Sequence, residues 1–201
     1  MNAKDKENAI QRYEARLKKY GESVKAIGWR DKKQQWLRFD ILTQIGNLNN
    51  KNILDVGCGF GDLYSYAQEK NFKLTYTGFD ISSKIIGIAK KNHPGLTFAV
   101  KDILLDRISR KFDYILSSGV LNHKISNNLK FAQEMIRKMF ELSRIGLAVN
   151  MTTNYVDYKD DYLFYYSPEK IFKYARGLTR FVVLRHDYPL YEFTVYLYKK
   201  L

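Results

Sequence analysis

The run Leu54-Asp55-Val56-Gly57-Cys58-Gly59-Phe60-Gly61-Asp62 sets three glycines at alternate positions between an apolar stretch and a helix-forming one. Such a turn removes side chains where a ligand must approach the peptide backbone, and it opens a helix whose first N–H groups face the same ligand. A dinucleotide site wants its third glycine at position 62, so that pyrophosphate can rest on the helix N-terminus. Here that position is Asp62, whose carboxylate would repel a pyrophosphate at contact distance. The readings left are a structural turn, or a grip on a ligand without pyrophosphate, with the carboxylate of Asp55 just ahead of the glycines.

The surrounding pattern supplies the elements that would position this turn. Residues 4–20 carry Ile10, Tyr13, Leu17 and Tyr20 at helical spacing and end at Gly21, which suits a helix C-terminus. Asp31 sits where a cap belongs for a second helix containing Trp36, Leu37, Phe39, Ile41, Leu42 and Ile45. From residue 52 short strands alternate with helices: strands at 53–56, 74–79, 97–100, 112–117 and 146–150, helices at 61–70, 82–92 and 127–143, the last with Leu129, Met135, Ile136 and Met139 inward. Ser167 resembles a cap, with Pro168 at the first helical position and Glu169 in the first turn. Residues 181–186 and 192–198 are too close for a crossover helix and are expected to pair as an antiparallel hairpin. The alternation predicts an α/β fold with a mostly parallel sheet covered on both faces.

Several motifs in order, each after an expected strand, resemble class I S-adenosylmethionine-dependent methyltransferases: Asp55 to Gly61, then Asp80 in Gly78-Phe79-Asp80-Ile81-Ser82, then Asp102-Ile103, then Phe112 to Val120. The resemblance covers about residues 50–150 and implies a seven-stranded Rossmann-like sheet with a C-terminal antiparallel hairpin. It implies a helical cover over residues 1–48 and a catalytic domain over 49–201, together one compact unit. S-adenosylmethionine is the implied cofactor. Asp80 would accept hydrogen bonds from the ribose hydroxyls, Asp102 would receive the adenine amino group, and Ile81 and Ile103 would flank the base. Asp55, Gly57, Cys58, Gly59, Phe60 and Gly61 would form the turn around the methionine half, with Ser117 and Gly119 beneath the methyl group and Trp29 as cover. All would meet at the C-terminal edge of the parallel strands. Asp113 opens its strand and is read as structural.

The acceptor is narrowed by what the chain lacks. Cys58 is the only cysteine, so no nucleophilic cysteine stands outside the glycine turn for cytosine C5 chemistry, and Ser117-Ser118-Gly119-Val120 replaces the proline pair of enzymes that methylate base amines. A small molecule methylated on O or N, with anionic character allowed by the basic charge, is therefore expected. An RNA or ribosome-associated enzyme and a non-catalytic cofactor-binding subunit are the alternatives. Tyr20, Asn122, Tyr155 and Tyr158 are candidate acceptor contacts. A hydroxyl acceptor would need a base, for which His123 and His186 are the candidates; Asp187 beside His186 could pair with it or fix the hairpin.

Composition sets the outer limits. Thirty-four Lys and Arg against 21 Asp and Glu give a net charge of +13, spread along the chain rather than gathered in a tail. That charge suits an anionic small molecule, or nucleic acid, the less favoured partner. One cysteine allows no internal disulfide, and no metal site is expected; Asp157, Asp160 and Asp161 read as solvated or capping residues. The polar start and the lack of an apolar run of about 20 residues point to a cytoplasmic protein without a membrane partner. The oligomeric state is not encoded in any pattern found.

Overall fold

The computed structural model describes residues 1–200 of the 201-residue chain. Its elements run α1 (Ala3–Tyr20), α2 (Lys32–Thr43), β1 (Asn52–Val56), α3 (Asp62–Glu69), β2 (Thr75–Asp80), α4 (Ser83–Asn92), β3 (Thr97–Val100), β4 (Phe112–Ser117), α5 (Asn128–Leu142), β5 (Ser143–Thr152), α6 (Pro168–Leu178), β6 (Val182–Arg185) and β7 (Glu192–Tyr198). The strands form one seven-stranded sheet in the order β3-β2-β1-β4-β5-β7-β6. The five strands from β3 to β5 pair in parallel, and β7 runs antiparallel between β5 and β6.

Local chemistry accounts for most helix starts. Asn2, Asp31, Ser82, Asn127 and Ser167 each accept a hydrogen bond from the backbone N–H three residues on, which satisfies one of the free donors of a first turn. Helix α3 is the exception: it opens from Gly61 without a side-chain cap, its first turn left to the glycine loop. Chain direction in the sheet reverses its outward growth between β1 and β4, the place where α/β sheets open a crevice.

Two apolar layers sandwich the sheet. On one face Phe131, Met135, Ile136 and Met139 of α5 and Ile171 and Ala175 of α6 pack on β4, β5 and β7; on the other, Phe39 and Leu42 of α2 meet Leu63, Tyr66 and Ile86 of α3 and α4. Two sequence expectations need correction. Leu129 was expected inward but is exposed, because the first turn of α5 buries Asn128 and Phe131 instead. Strand β5 starts at Ser143, directly at the end of α5, rather than at Gly146; an irregularity opposite Phe112 and Tyr114 absorbs the added residues. The expected antiparallel hairpin forms, and its second strand, β7, pairs with β5.

Helix α1 is attached differently from the rest. None of its residues is fully buried, and it lies over the crevice through Tyr13 and Leu17, which pack on Ala26, Phe60 and Ile85. Polar ties pin it at both sides: Lys6 to Asp102 at 3.0 Å, Lys84 to Glu14 at 2.6 Å, and the Ser126 hydroxyl to Asp5 at 2.5 Å. No helix among the described residues is long and apolar enough to cross a membrane.

Candidate active site

A cavity of about 630 Å³ lies at the C-terminal edge of β1, β2, β3 and β4, roofed by α1 and the segment around Trp29. Its floor is the glycine turn. The N–H groups of Gly57 and Cys58 donate to the Phe79 carbonyl at 2.8 and 3.1 Å, so the turn is tied to the end of β2. Gly57 (φ 77°) and Gly59 (φ 55°) have left-handed backbones, and a Cβ on Gly57 would stand 2.1 Å from the Val120 side chain. At Gly57 a larger side chain is excluded by both conformation and space, and at Gly59 it is disfavoured by conformation.

Asp80 closes β2. Its carboxylate accepts from the Gly59 N–H at 3.2 Å and the Ser82 N–H at 3.0 Å, yet it also lines the cavity. Burial raises its pKa, and those backbone donors only partly offset the effect. Tyr13 of α1 stands deep in the same region. Burial, then the Asp80 charge, pushes its hydroxyl up to about 12. Asp102 and Ile103 follow β3 on the next stretch of wall; Asp102 accepts from the Leu104 N–H at 3.1 Å and holds Lys6.

The opposite wall belongs to residues far apart in the chain. Arg38 of α2 donates to the Glu192 carboxylate of β7 through Nε at 2.9 and 3.0 Å and through Nη2 at 2.8 Å, both side chains being almost wholly buried. The same guanidinium lies 4.3 Å from the centre of the Trp29 ring, whose other end leaves no room for a Cβ on Gly119. Gly119 in turn donates its N–H to Asn150 Oδ1 at 3.0 Å, and Asn150 reaches Ser118 at 3.1 Å. A chain of contacts thus runs from Glu192 through Arg38 and Trp29 to the turn after β4. Next along that turn are Asn122, whose Oδ1 accepts from the Thr152 N–H at 3.1 Å, and His123. Burial first, then the charges of Arg12 and Arg16, lowers the His123 pKa to about 4, so the ring is neutral across the physiological range.

The residues suit a nucleoside carrying an amino-acid tail. Among the described residues, two buried side-chain atoms have no hydrogen-bond partner, Gln35 Oε1 and His123 Nδ1, and both residues line this cavity. Gln35 is held by its Nε2 to Asp62 at 2.9 Å, which leaves its oxygen for an incoming donor such as an ammonium group. With the Asp80 carboxylate, the side-chain-free turn and the apolar Ile81 and Ile103, these groups meet the needs of the cofactor implied by the sequence.

The structure brings Trp29, Asp55, Gly57, Cys58, Gly59, Asp80, Ile81, Asp102, Ile103, Gly119, Asn122, His123 and Tyr158 to the cavity. Others expected there lie elsewhere. Gly61 is needed for packing, since a Cβ would fall 2.7 Å from the His93 ring. Phe60 is buried under α1 with Ala26 and Ile85, and the Ser117 hydroxyl is spent on the Val56 carbonyl at 3.0 Å. Tyr20 is exposed beside Lys19 and Arg16, and Tyr155 is exposed and hydrogen-bonded to Glu169. His186 lies outside the cavity, between Tyr155 and Phe193, while Asp187 is taken by Arg185 at 2.7 Å. Its proposed place as a base is therefore corrected: the neighbouring carboxylate pairs with the arginine.

Sequence reasoning missed Arg12 and Arg16, four residues apart on α1, and gave Tyr13 only a place on the apolar spacing of that helix. It also missed the pairing of Arg38 with Glu192, for which nothing in either local sequence gives a signal.

Asp55 offers a test of the electrostatics. It is 4% exposed and accepts from the Tyr76 hydroxyl at 2.6 Å, and burial raises its pKa from 3.8 to about 7. The folded chain therefore keeps a proton that the unfolded chain releases near pH 4. This contribution to stability is full below that pH and is lost as pH rises to about 7. Asp55→Asn is expected to remove that decline, so the difference in urea midpoint between wild type and variant should change between about pH 4 and about pH 7. Parallel pH profiles for the two proteins would contradict it.

Comparison with known proteins places this geometry. Residues 47–160 match the family model described as a methyltransferase domain. The Mycobacterium tuberculosis protein named "Putative methyltransferase Rv1506c" is 33% identical over 159 residues, 74% of this chain and 93% of that one. A ubiquinone biosynthesis O-methyltransferase of Coxiella burnetii is 34% identical over 93 residues, 43% of this chain and 38% of that protein. Among solved structures, magnesium protoporphyrin IX methyltransferase (ChlM) from Synechocystis PCC 6803 with bound SAH aligns over 98% of this chain and 100% of that one, with a TM-score of 0.70 at 18% identity.

Proposed function

The chain belongs to the methyltransferase-domain family, and on that premise we propose that it uses S-adenosylmethionine to methylate an oxygen or nitrogen of a small, anionic molecule. When bound, S-adenosylmethionine supplies a methyl group on a positively charged sulfur, open to in-line displacement. The observation that carries the reading is the convergence of the Gly57–Gly59 turn, the Asp80 carboxylate and the unpartnered Gln35 oxygen in one cavity. In this reading Asp80 takes the ribose hydroxyls, Asp102 with Ile103 receives the adenine, and the turn and Gln35 face the amino-acid tail.

The chain's task is then alignment, which is worth about 7–11 kcal/mol of barrier in well-oriented cases. The Glu192–Arg38–Trp29–Gly119 contacts hold the turn beneath the reacting centre, and Asn122, His123 and Tyr158 bound the space left for the acceptor. The volume of about 630 Å³ lies within the range of small-ligand sites, and the α1 roof favours an acceptor that fits inside it over a macromolecule. His123, neutral and with Nδ1 free, is the histidine at the acceptor end.

Calorimetric titration of the purified chain with S-adenosylhomocysteine should give one site of micromolar affinity. Incubation with methyl-labelled cofactor and a fractionated cell extract should then place label in the small-molecule fraction. No heat of binding would overturn the cofactor assignment; label confined to RNA or protein would overturn the acceptor assignment.

A further inference from the structure

Two arginines line the cavity from successive turns of α1, and the reading above gives them no task. Arg12 and Arg16 are four residues apart, so they share a face of the helix, and both line the cavity beside His123 and Tyr162. Like charges at this spacing disfavour a helix unless something between them compensates. The helix's own acids do not: Asp5 is bound to Ser126, Glu7 to Gln11 and Glu14 to Lys84. The other carboxylates around the cavity are also engaged, Asp62 by Gln35, Asp80 by backbone donors, Asp102 by Lys6 and Glu192 by Arg38. Asp160, across the cavity on the loop before α6, makes no salt bridge with either arginine. Arg16 is fixed by two hydrogen bonds to the Lys25 carbonyl, at 3.1 Å from Nε and 2.6 Å from Nη2, which leaves Nη1 uncommitted. On the β4 turn, 5.6 Å from the ring of Tyr13 on α1, lies the ring of His123 with its buried Nδ1 unpartnered.

We propose that Arg12 and Arg16, with His123, form an oxyanion-binding subsite that anchors the methyl acceptor by a carboxylate or phosphonate group. The proposal rests on the methyltransferase reading and names the acceptor's chemistry within it. Guanidinium forks match both oxyanions bidentately. An anion beside these guanidinium groups would offset the charge that depresses the protonation of His123, whose Nδ1 then serves as a donor at the inner side. Tyr158, Tyr162 and Tyr165 around the same chamber offer faces for an aromatic or otherwise flat body behind the anion.

The test uses the full chain labelled with ¹⁵N in its three histidines and saturated with S-adenosylhomocysteine, with His123 assigned by its loss in His123→Gln. Benzoate and phenylphosphonate, as planar and tetrahedral oxyanions on the same ring, are titrated against neutral benzamide. At least one oxyanion should shift the His123 signals and saturate, the tighter of the two identifying the acceptor's group, while benzamide leaves them in place. Arg12→Gln should weaken that binding about 10-fold or more, the worth of a charge-assisted hydrogen bond, and Arg12→Lys should restore part of it. Equal binding of benzamide, unchanged affinity in Arg12→Gln, or no oxyanion effect on a chain that binds S-adenosylhomocysteine would overturn the subsite. Oxyanion binding that appears only without S-adenosylhomocysteine would overturn it too, because the arginines would then serve the cofactor. Failure of S-adenosylhomocysteine itself to bind would instead overturn the methyltransferase reading.

Discussion

Asp80→Ala is expected to weaken S-adenosylhomocysteine binding by about 100-fold or more, since two hydrogen bonds to a charged acceptor are worth about 1.5–3 kcal/mol each. The carboxylate ends β2, lines the cavity and already holds the Gly59 N–H, so its loss removes both the ribose acceptor and one tie of the glycine turn. Asp80→Asn keeps part of both. Gly59 and Ser82 donate to different carboxylate oxygens, so the one amide oxygen keeps one of these ties and accepts more weakly from the ribose hydroxyls; its affinity should fall between wild type and alanine. Burial raises the Asp80 pKa, so wild-type affinity should decline on acidification at a pH above the ordinary carboxylate range, and Asp80→Asn should lack that decline. Calorimetry with circular dichroism on the same samples checks this. Wild-type affinity in a folded Asp80→Ala protein would remove Asp80 from the site.

The second large effect concerns stability. Glu192→Ala is expected to lower the unfolding free energy by about 3–5 kcal/mol, because it leaves the Arg38 guanidinium buried with its main partner gone. The side chains are 9% and 5% exposed, and Glu192 takes three of the guanidinium's hydrogen bonds; the fourth, from Nη1, goes to the Gln34 carbonyl at 2.9 Å. Removing both charges together, in Arg38→Met with Glu192→Leu, should recover much of the loss, since a buried pair gains little over apolar groups that fill the same space. The double variant should nonetheless bind cofactor poorly, as Trp29 loses the cation that fixes its ring over Gly119. Urea denaturation of the wild type and both variants measures the first part and calorimetry the second. A double variant no more stable than Glu192→Ala would show that the pair's value lies elsewhere than in charge compensation.

These two sites differ in how far the chain alone reveals them. Asp80 is legible because its role follows from local order: strand, glycine turn, helix, strand, acid. The carboxylate must then arrive at the same sheet edge as the turn, and the parallel pairing of Val56 with Phe79 puts it there. The caps Asp31, Ser82 and Ser167 are legible for the same reason, each acting within three residues of itself. Glu192 and Arg38 stand 154 residues apart, and their pairing depends on β7 entering the sheet beside β5 while α2 crosses that face. His186 shows the reverse error: proximity in sequence to Asp187 suggested a pair, and the geometry of the hairpin gave the acid to Arg185.

The amino-acid sequence by itself determined the alternating α/β order, the glycine turn with its two strand-end acids, and the family. All are set by backbone conformations and hydrogen bonds that span a few residues or one crossover unit. The tertiary structure alone decided which side of α1 faces the cavity, and so whether Arg12 and Arg16 belong to solvent or to the site. It also decided that Gly61 makes room for His93 rather than for a ligand, and that Trp29 is clamped between Arg38 and Gly119. Helical periodicity fixes which residues share a face; only the packing of one element on another fixes what that face meets.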